Sequence, residues 1–207
     1  MRDGLFDQTL RLRKNDGGEY ANWDIKKLGD ITYKVDRKNK NREVLPIYSI
    51  SNINGFIPQS EQFEGIDSNE RGYDISLYKI VERETFAYNP ARINVGSIGY
   101  SENLKRVLVS SLYVCFKTMD SIDDRFFNHF LQTERFNNSV LKKGEGGVRI
   151  YLFYENFSEI EVAIPSYEEQ IHLATILTAM DQKIKVEKQI LKKYQEQKKS
   201  LLGQLFI

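Results

Sequence analysis

The sequence predicts an α+β protein: a globular mixed α/β domain over residues 23–165, followed by one long coiled-coil helix over 166–207. Three observations predict it. Short alternating apolar runs between Gly, Asn and Pro fill the first part, the apolar period lengthens to that of a helix after Ser121, and from Leu173 onward apolar residues recur at steps of four and three. A chain of 207 residues with 41% hydrophobic and 12% aromatic content can bury one core and is short for two domains side by side.

Residues 1–22 are polar and broken by Asn15-Asp16-Gly17-Gly18, so a leader outside the core is expected there. Beyond Trp23, Ile47–Ile50 reads as a strand, Asn54-Gly55 as a hairpin turn, and Phe56-Ile57 as the return before Pro58. Tyr73–Val81 and Thr85–Tyr88 are further strands. From Leu108 to Phe116 both alternating faces are largely apolar, which predicts one central strand. Phe126, Phe127, Phe130, Leu131 and Val140 then suit a helix, capped by Ser121 with Asp124 three residues on, that stops before Gly144-Glu145-Gly146-Gly147. A last strand, Ile160–Ile164, ends at Pro165.

Ser166 and Glu169 have the spacing of a capping box, in which the hydroxyl takes the Glu169 backbone N–H and the carboxylate reaches back. The helix that starts there carries Leu173, Leu177, Met180, Ile184, Leu191, Tyr194, Leu201 and Leu205 in a heptad seam, interrupted by Glu187 and Lys198. About 40 residues make a rod of roughly 60 Å, longer than a domain of this size is wide. Much of the seam is therefore expected to project and to meet a partner helix. Across an antiparallel pair, Glu187 and Lys198 can face one another.

Composition narrows the function. The longest apolar run, Val107–Phe116, is far shorter than the roughly 20 residues of a membrane-spanning helix. The first residues lack the pattern of a secretory signal, so a cytoplasmic location is expected. Cys115, the one cysteine, sits in an apolar segment as a small hydrophobe, and with only His129 and His172 beside it neither a metal site nor a cofactor is expected. A net charge of +1 gives no overall attraction to nucleic acid. Basic residues nevertheless cluster at Lys34, Arg37, Lys38, Lys40 and Arg42, at Lys105 and Arg106, and at Lys142, Lys143 and Arg149.

Several spaced motifs, in order, resemble type I restriction-modification specificity subunits. They are Gly146-Gly147-Val148-Arg149, Phe157, Ile164-Pro165-Ser166-Tyr167-Glu168-Glu169-Gln170, Ile176-Leu177, Asp181-Gln182-Lys183-Ile184 and the run from Gln197 to Phe206. Upstream, Trp23 with Lys27-Leu28-Gly29-Asp30-Ile31 resembles the opening of a target-recognition domain, and Tyr88 to Gly99 its middle. Family members carry two such domains, each followed by a conserved helix, with the helices packed antiparallel as a spacer. The chain has one of each. Gly4 to Arg11 resembles the end of the family's central helix, which implies the second half of a subunit or a gene of half size.

The resemblance implies a non-catalytic subunit that binds double-stranded DNA and directs methyltransferase (modification) subunits and a restriction endonuclease subunit to a target. It also implies pairing, as a homodimer or with a second specificity half. The candidates for DNA backbone contacts are Lys34, Arg37, Lys38 and Arg42; those for base or phosphate contacts are Asn89, Arg92, Asn94, Ser97 and Arg149. Asn89-Pro90-Ala91-Arg92 superficially resembles the Asn-Pro-Pro-aromatic motif of adenine methyltransferases but lacks the second proline and the stacking aromatic, and no Gly-x-Gly loop precedes it. The rival reading is a coiled-coil assembly or inhibitor protein with no DNA reading of its own, which the heptad seam alone would fit.

Overall fold

A helical cap and three sheets build the domain, and one helix carries the chain out of it. The computed structural model describes residues 1–62, 72, 74–146 and 150–205, the side chains of 62 and 203–205 excepted. A short helix α1 (Arg2–Phe6) precedes β1 (Asp24–Lys27), α2 (Leu28–Ile31), β2 (Thr32–Lys34), β3 (Ile47–Ser51), β4 (Gly55–Pro58) and α3 (Gln59–Gln62). The middle of the chain gives β5 (Lys79–Glu82), β6 (Phe86–Tyr88), β7 (Ile98–Tyr100), β8 (Arg106–Val109) and β9 (Val114–Thr118). Helices α4 (Asp124–Phe130), α5 (Glu134–Lys143) and α6 (Tyr154–Ser158), strand β10 (Glu161–Ile164) and the long α7 (Tyr167–Leu205) complete it.

Strands β2-β9-β6-β7 form an antiparallel sheet, and β4-β3-β8-β5 form a second one in which β3 and β8 run parallel. The remaining ribbon pairs β1 with β10, Asp24 lying opposite Ile164. The main core lies between the first sheet and the helices and is aromatic. Phe86 stacks on Phe116 at 5.2 Å between ring centroids, Phe127 meets Phe86 edge-on at 5.4 Å, and Phe157 closes on Phe116 at 4.9 Å. Each side chain of this size, fully buried, contributes roughly 1.5–3 kcal/mol.

Four expectations give way to packing. The run from Leu108 to Phe116 is two strands in different sheets, because Ser110 turns the chain: its carbonyl accepts the Tyr113 N–H (3.1 Å), its Oγ the Leu112 N–H (3.3 Å), and Leu112 is left in solvent. Of Tyr73–Val81, residues Ile75–Leu77 form a 3-10 turn started by the Asp74 carboxylate, β5 begins only at Lys79, and Tyr73 lies outside the described residues. The helix expected from Ser121 is two. Asp123 caps α4 by accepting the Arg125 and Phe126 N–H groups, and Thr133 caps α5 by accepting that of Phe136.

The fourth concerns residues 1–22, which are not outside the core. Leu5 and Phe6 are buried, Phe6 lying 5.2 Å from Phe126, and Arg2 binds the Asp181 carboxylate through two contacts of 2.7 and 3.0 Å.

Helix α7 begins with half of the expected capping box. Ser166 Oγ accepts the Glu169 N–H at 3.4 Å, but the buried Glu169 carboxylate turns away to accept the Trp23 indole N–H at 3.1 Å. Leu173, Ala174 and Leu177 lie in the domain core. Leu173 and Leu177 therefore do not belong to a free seam. Beyond Asp181 every described side chain as far as Leu202 is exposed, and 24 helical residues project for roughly 36 Å. Ile184, Leu191, Tyr194 and Leu201 lie on this stretch and the exposed Met180 just before it, with Ile190 and Leu202 beside the seam; the Leu205 side chain lies outside the described ones. Among the described residues no helix is long and apolar enough to cross a membrane.

Candidate nucleic-acid interface

The basic segment after β2 is held as an added rim along β5. Arg37 C=O accepts the Ile80 N–H (2.7 Å), Tyr78 C=O accepts the Asn39 N–H (2.8 Å), and a β-bridge joins Lys38 to Lys79. Two buried polar groups fix its shape. Asn39 closes the loop by donating to the carbonyls of Glu43 and Ile75 and accepting the Glu43 N–H. Lys79, buried beneath the rim, donates to Tyr113 C=O at 2.7 Å and pairs with Asp36 at 2.9 Å, and its hydrogen bond holds the Asp36 carboxyl below the usual range.

Of the four predicted backbone-contact residues, Arg37, Lys38 and Arg42 are exposed on this rim, whereas Lys34 is exposed at the end of β2, in the other sheet. Arg37 pairs with Glu82 at 2.7 Å, while Lys34 and Arg42 sit 3.7 Å from Glu155 and Asp74. Lys38 makes no ion pair among the described residues. Exposed pairs of this kind hold by about 0–1 kcal/mol, so a phosphate can displace the carboxylate at small cost.

The second predicted group lies on the turn between β6 and β7 and divides. Asn89 Oδ1 accepts the Ala91 N–H at 3.0 Å, an Asx turn that commits the acceptor end of its amide. Ser97 is buried and donates to Ile50 C=O at 2.7 Å, so it braces β3 and cannot reach a base; this corrects its assignment. Arg92 is exposed and Asn94 half-exposed, and these two remain available. Arg149 lies outside the described residues.

Between this turn and the helices lies a cleft that the sequence did not announce. The β3–β4 turn contributes Asn52, Ile53 and Asn54, and α4 with the residues after it contributes Asn128 and Gln132. Asn94 adjoins on the same side, lining a neighbouring hollow that shares Gly96, Ile98 and Gln132. Gly55 adopts φ +62°, and a Cβ on Gly99 would come within 3.0 Å of the Gly55 Cα, so two glycines let the hairpin seat directly against β7. The cleft lies toward the β4 edge of the second sheet and the basic rim along its β5 edge, roughly 14 Å away across three strand spacings. The sequence offered one clue to the cleft, two asparagines flanking an isoleucine in a turn, which reads equally well as turn chemistry.

The thiol nearest the basic rim is closed off from solvent: the Cys115 carbonyl accepts the Val35 N–H at 2.8 Å beneath it. Cys115 is buried, and burial pushes its thiol up to about 12. Among the described residues no group of three His, Cys, Asp or Glu side chains could hold a metal ion.

A family model described as the type I restriction modification DNA specificity domain matches residues 20–195. No curated protein matches the chain. Of the solved structures similar to it, one comes from work on complex assembly and conformational transition of the type I R-M system, with a TM-score of 0.59 and 12% identity, covering 91% of this chain and 46% of that one. The HsdS subunit from Thermoanaerobacter tengcongensis gives a TM-score of 0.56 at 13% identity over 82% of this chain and 40% of that one. The type I restriction-modification S subunit from M. genitalium gives 0.52 at 18% identity over 84% and 42%. Identities this low show a shared fold, and the chain spans less than half the length of each of these structures.

Proposed function

Because the chain belongs to the type I restriction-modification DNA specificity family, we propose that it is a sequence-reading half of a specificity subunit, one that makes and breaks no bonds itself. It selects a site on double-stranded DNA and carries methyltransferase and restriction endonuclease subunits to it. The observation that carries this reading is the division of α7: its first turns are anchored in the recognition domain, and the rest presents an apolar seam that none of the described residues of its own domain covers. A reading domain on a rod with one open face is built to be one of a pair.

The partner is a second copy or a second specificity half, packed antiparallel. The seam is self-complementary in one register. When Glu187 lies opposite Lys198, Ile184 lies opposite Leu201 and Leu191 opposite Tyr194, so the two charged seam positions neutralise each other between apolar layers. Glu187→Lys places like charges across the axis and should weaken self-association at least tenfold by sedimentation, whereas Glu187→Lys with Lys198→Glu should restore it. Failure of the double variant to recover discards this register.

DNA affinity should depend on the methyltransferase subunits, since a net charge of +1 gives little long-range attraction. In the assembled complex, replacing Lys34, Arg37 and Lys38 by Ala should weaken binding to all sequences alike and flatten its dependence on salt. A complex that shifts no DNA would favour the rival reading, a coiled-coil assembly or inhibitor protein.

A further inference from the structure

The asparagines of this fold are of two kinds. Asn39, Asn89 and Asn156 spend their amides inside the protein, on the Glu43 and Ile75 backbone, on the Ala91 N–H and on the Glu145 carboxylate. Those around the cleft do not, as is also true of exposed asparagines elsewhere such as Asn22, Asn103 and Asn138. Among the described residues the side chains of Asn52, Asn54, Asn94 and Asn128 make no hydrogen bond, and Gln132 uses one N–H on the Asn128 carbonyl.

The β3–β4 turn presents two of these free amides in a fixed arrangement. Ser51 Oγ accepts the N–H groups of both Ile53 and Asn54 at 3.0 Å, the strands stay paired as far as Ser51 and Gly55, and Ser97 ties Ile50 from beneath. Between the amides, Ile53 is 84% exposed. A large apolar side chain held in water at the end of a braced hairpin gains nothing from the fold. The three side chains do match the major-groove edge of an A·T pair. A carboxamide donates to adenine N7 and accepts from N6–H2 together, an aliphatic group packs on the thymine methyl, and a two-stranded ribbon fits the groove's width.

We infer that Asn52-Ile53-Asn54 is a base-reading finger that enters the major groove and selects A·T pairs, its amides on adenine and Ile53 on thymine. The inference rests on the DNA-recognition reading. Ordering costs little on binding, because the backbone of the tip is already set before DNA arrives.

The test uses the chain assembled with its methyltransferase subunits and a library of duplexes carrying randomised base pairs, from which bound DNA is selected and sequenced. The wild-type complex should enrich a motif containing A·T pairs. Asn52→Ala and Asn54→Ala should each lose roughly ten- to a hundredfold discrimination at an A·T position and leave the other positions intact. Ile53→Ser should relax a thymine. Unaltered thermal unfolding of the three variants checks that the domain still folds. Variants that return the wild-type motif at full strength, or that relax only G·C positions, overturn the finger and leave the DNA-recognition reading standing. A folded variant that loses affinity for every sequence equally also overturns it, since the tip would then grip rather than read. A wild-type complex that enriches no motif overturns both.

Discussion

Gln170 shows what a conspicuous motif residue does once its surroundings are visible. Its side chain is buried, donates to the carbonyls of Ser121 and Pro165 at 3.2 and 3.1 Å, and accepts the Asp123 N–H at 2.8 Å, so one amide joins the end of β10, the entry to α4 and the start of α7. Gln170→Leu removes these bonds and strands buried partners; about 3 kcal/mol should be lost in denaturant unfolding. His129 gives a pH effect. Burial, and then the Arg2 charge, lowers its pKa, Nε2 lies 3.1 Å from Thr178 Oγ1, and Nδ1 lies 3.7 Å from Asp181. The unfolded chain takes up a proton near pH 6.5 that the folded chain resists, so His129 contributes stability that is lost as pH falls below about 6.5. Asp124 and Glu169, whose carboxyls burial pushes up, act in the opposite sense at lower pH. Subtracting the stability curve of His129→Gln from that of the wild type should isolate a difference that grows between pH 7.5 and 5.5; a flat difference discards the assignment. The sequence marked Pro165 to Gln170 as a signal, but its local rule sent the Glu169 carboxylate back along its own helix. Trp23, 146 residues away, takes that group instead, and no local pattern contains such a partner.

Helix α7 was the most legible element, since a 39-residue amphipathic repeat with a Ser-x-x-Glu start is written entirely in near neighbours. Where its burial ends was not legible, because Leu177 and Ile184 look alike in a heptad while one lies under α4 and the other in solvent. The strands fared by the same rule. The β3–β4 hairpin follows from Asn54-Gly55, whereas the break at Ser110 depends on which sheet each half joins. This contrast along α7 separates two experiments. Leu177→Ala leaves a core cavity and should cost the domain about 2–5 kcal/mol. Leu191→Ala should leave domain unfolding within about 0.5 kcal/mol and weaken association instead, measured by sedimentation over a concentration series. Equal effects on unfolding would mean that the projecting part of α7 folds back onto its own domain.

In the antiparallel pair proposed above, a register with Glu187 opposite Lys198 would set how far apart two recognition domains stand. Residue 181, where each helix leaves its domain, then lies opposite position 204, so the two exits are about 35 Å apart along the rod. That is roughly 10 base pairs, one turn of DNA. A homodimer should read two identical half-sites in inverted repeat with centres about one turn apart, and methylation mapping in cells carrying this chain and its methyltransferase subunit should return a palindrome. A bipartite, asymmetric motif would show that the working partner is a different half. The pairing of β1 with β10 adds a consequence of another kind. The chain enters the domain at Asp24 and leaves it at Ile164, on neighbouring strands of one ribbon, while α1 and α7 hold each other directly through Arg2 and Asp181. Along the chain, the residues between those strands therefore form an insert joined to the helical frame by two adjoining strands, and α4 packs that insert onto α1 and α7. An insert with different loops that keeps the α4 face packed on α1 and α7 can be carried on the same ribbon without lengthening the rod. On the proposed DNA-recognition reading, a new target would arise by exchange of one closed segment, at an unchanged spacing.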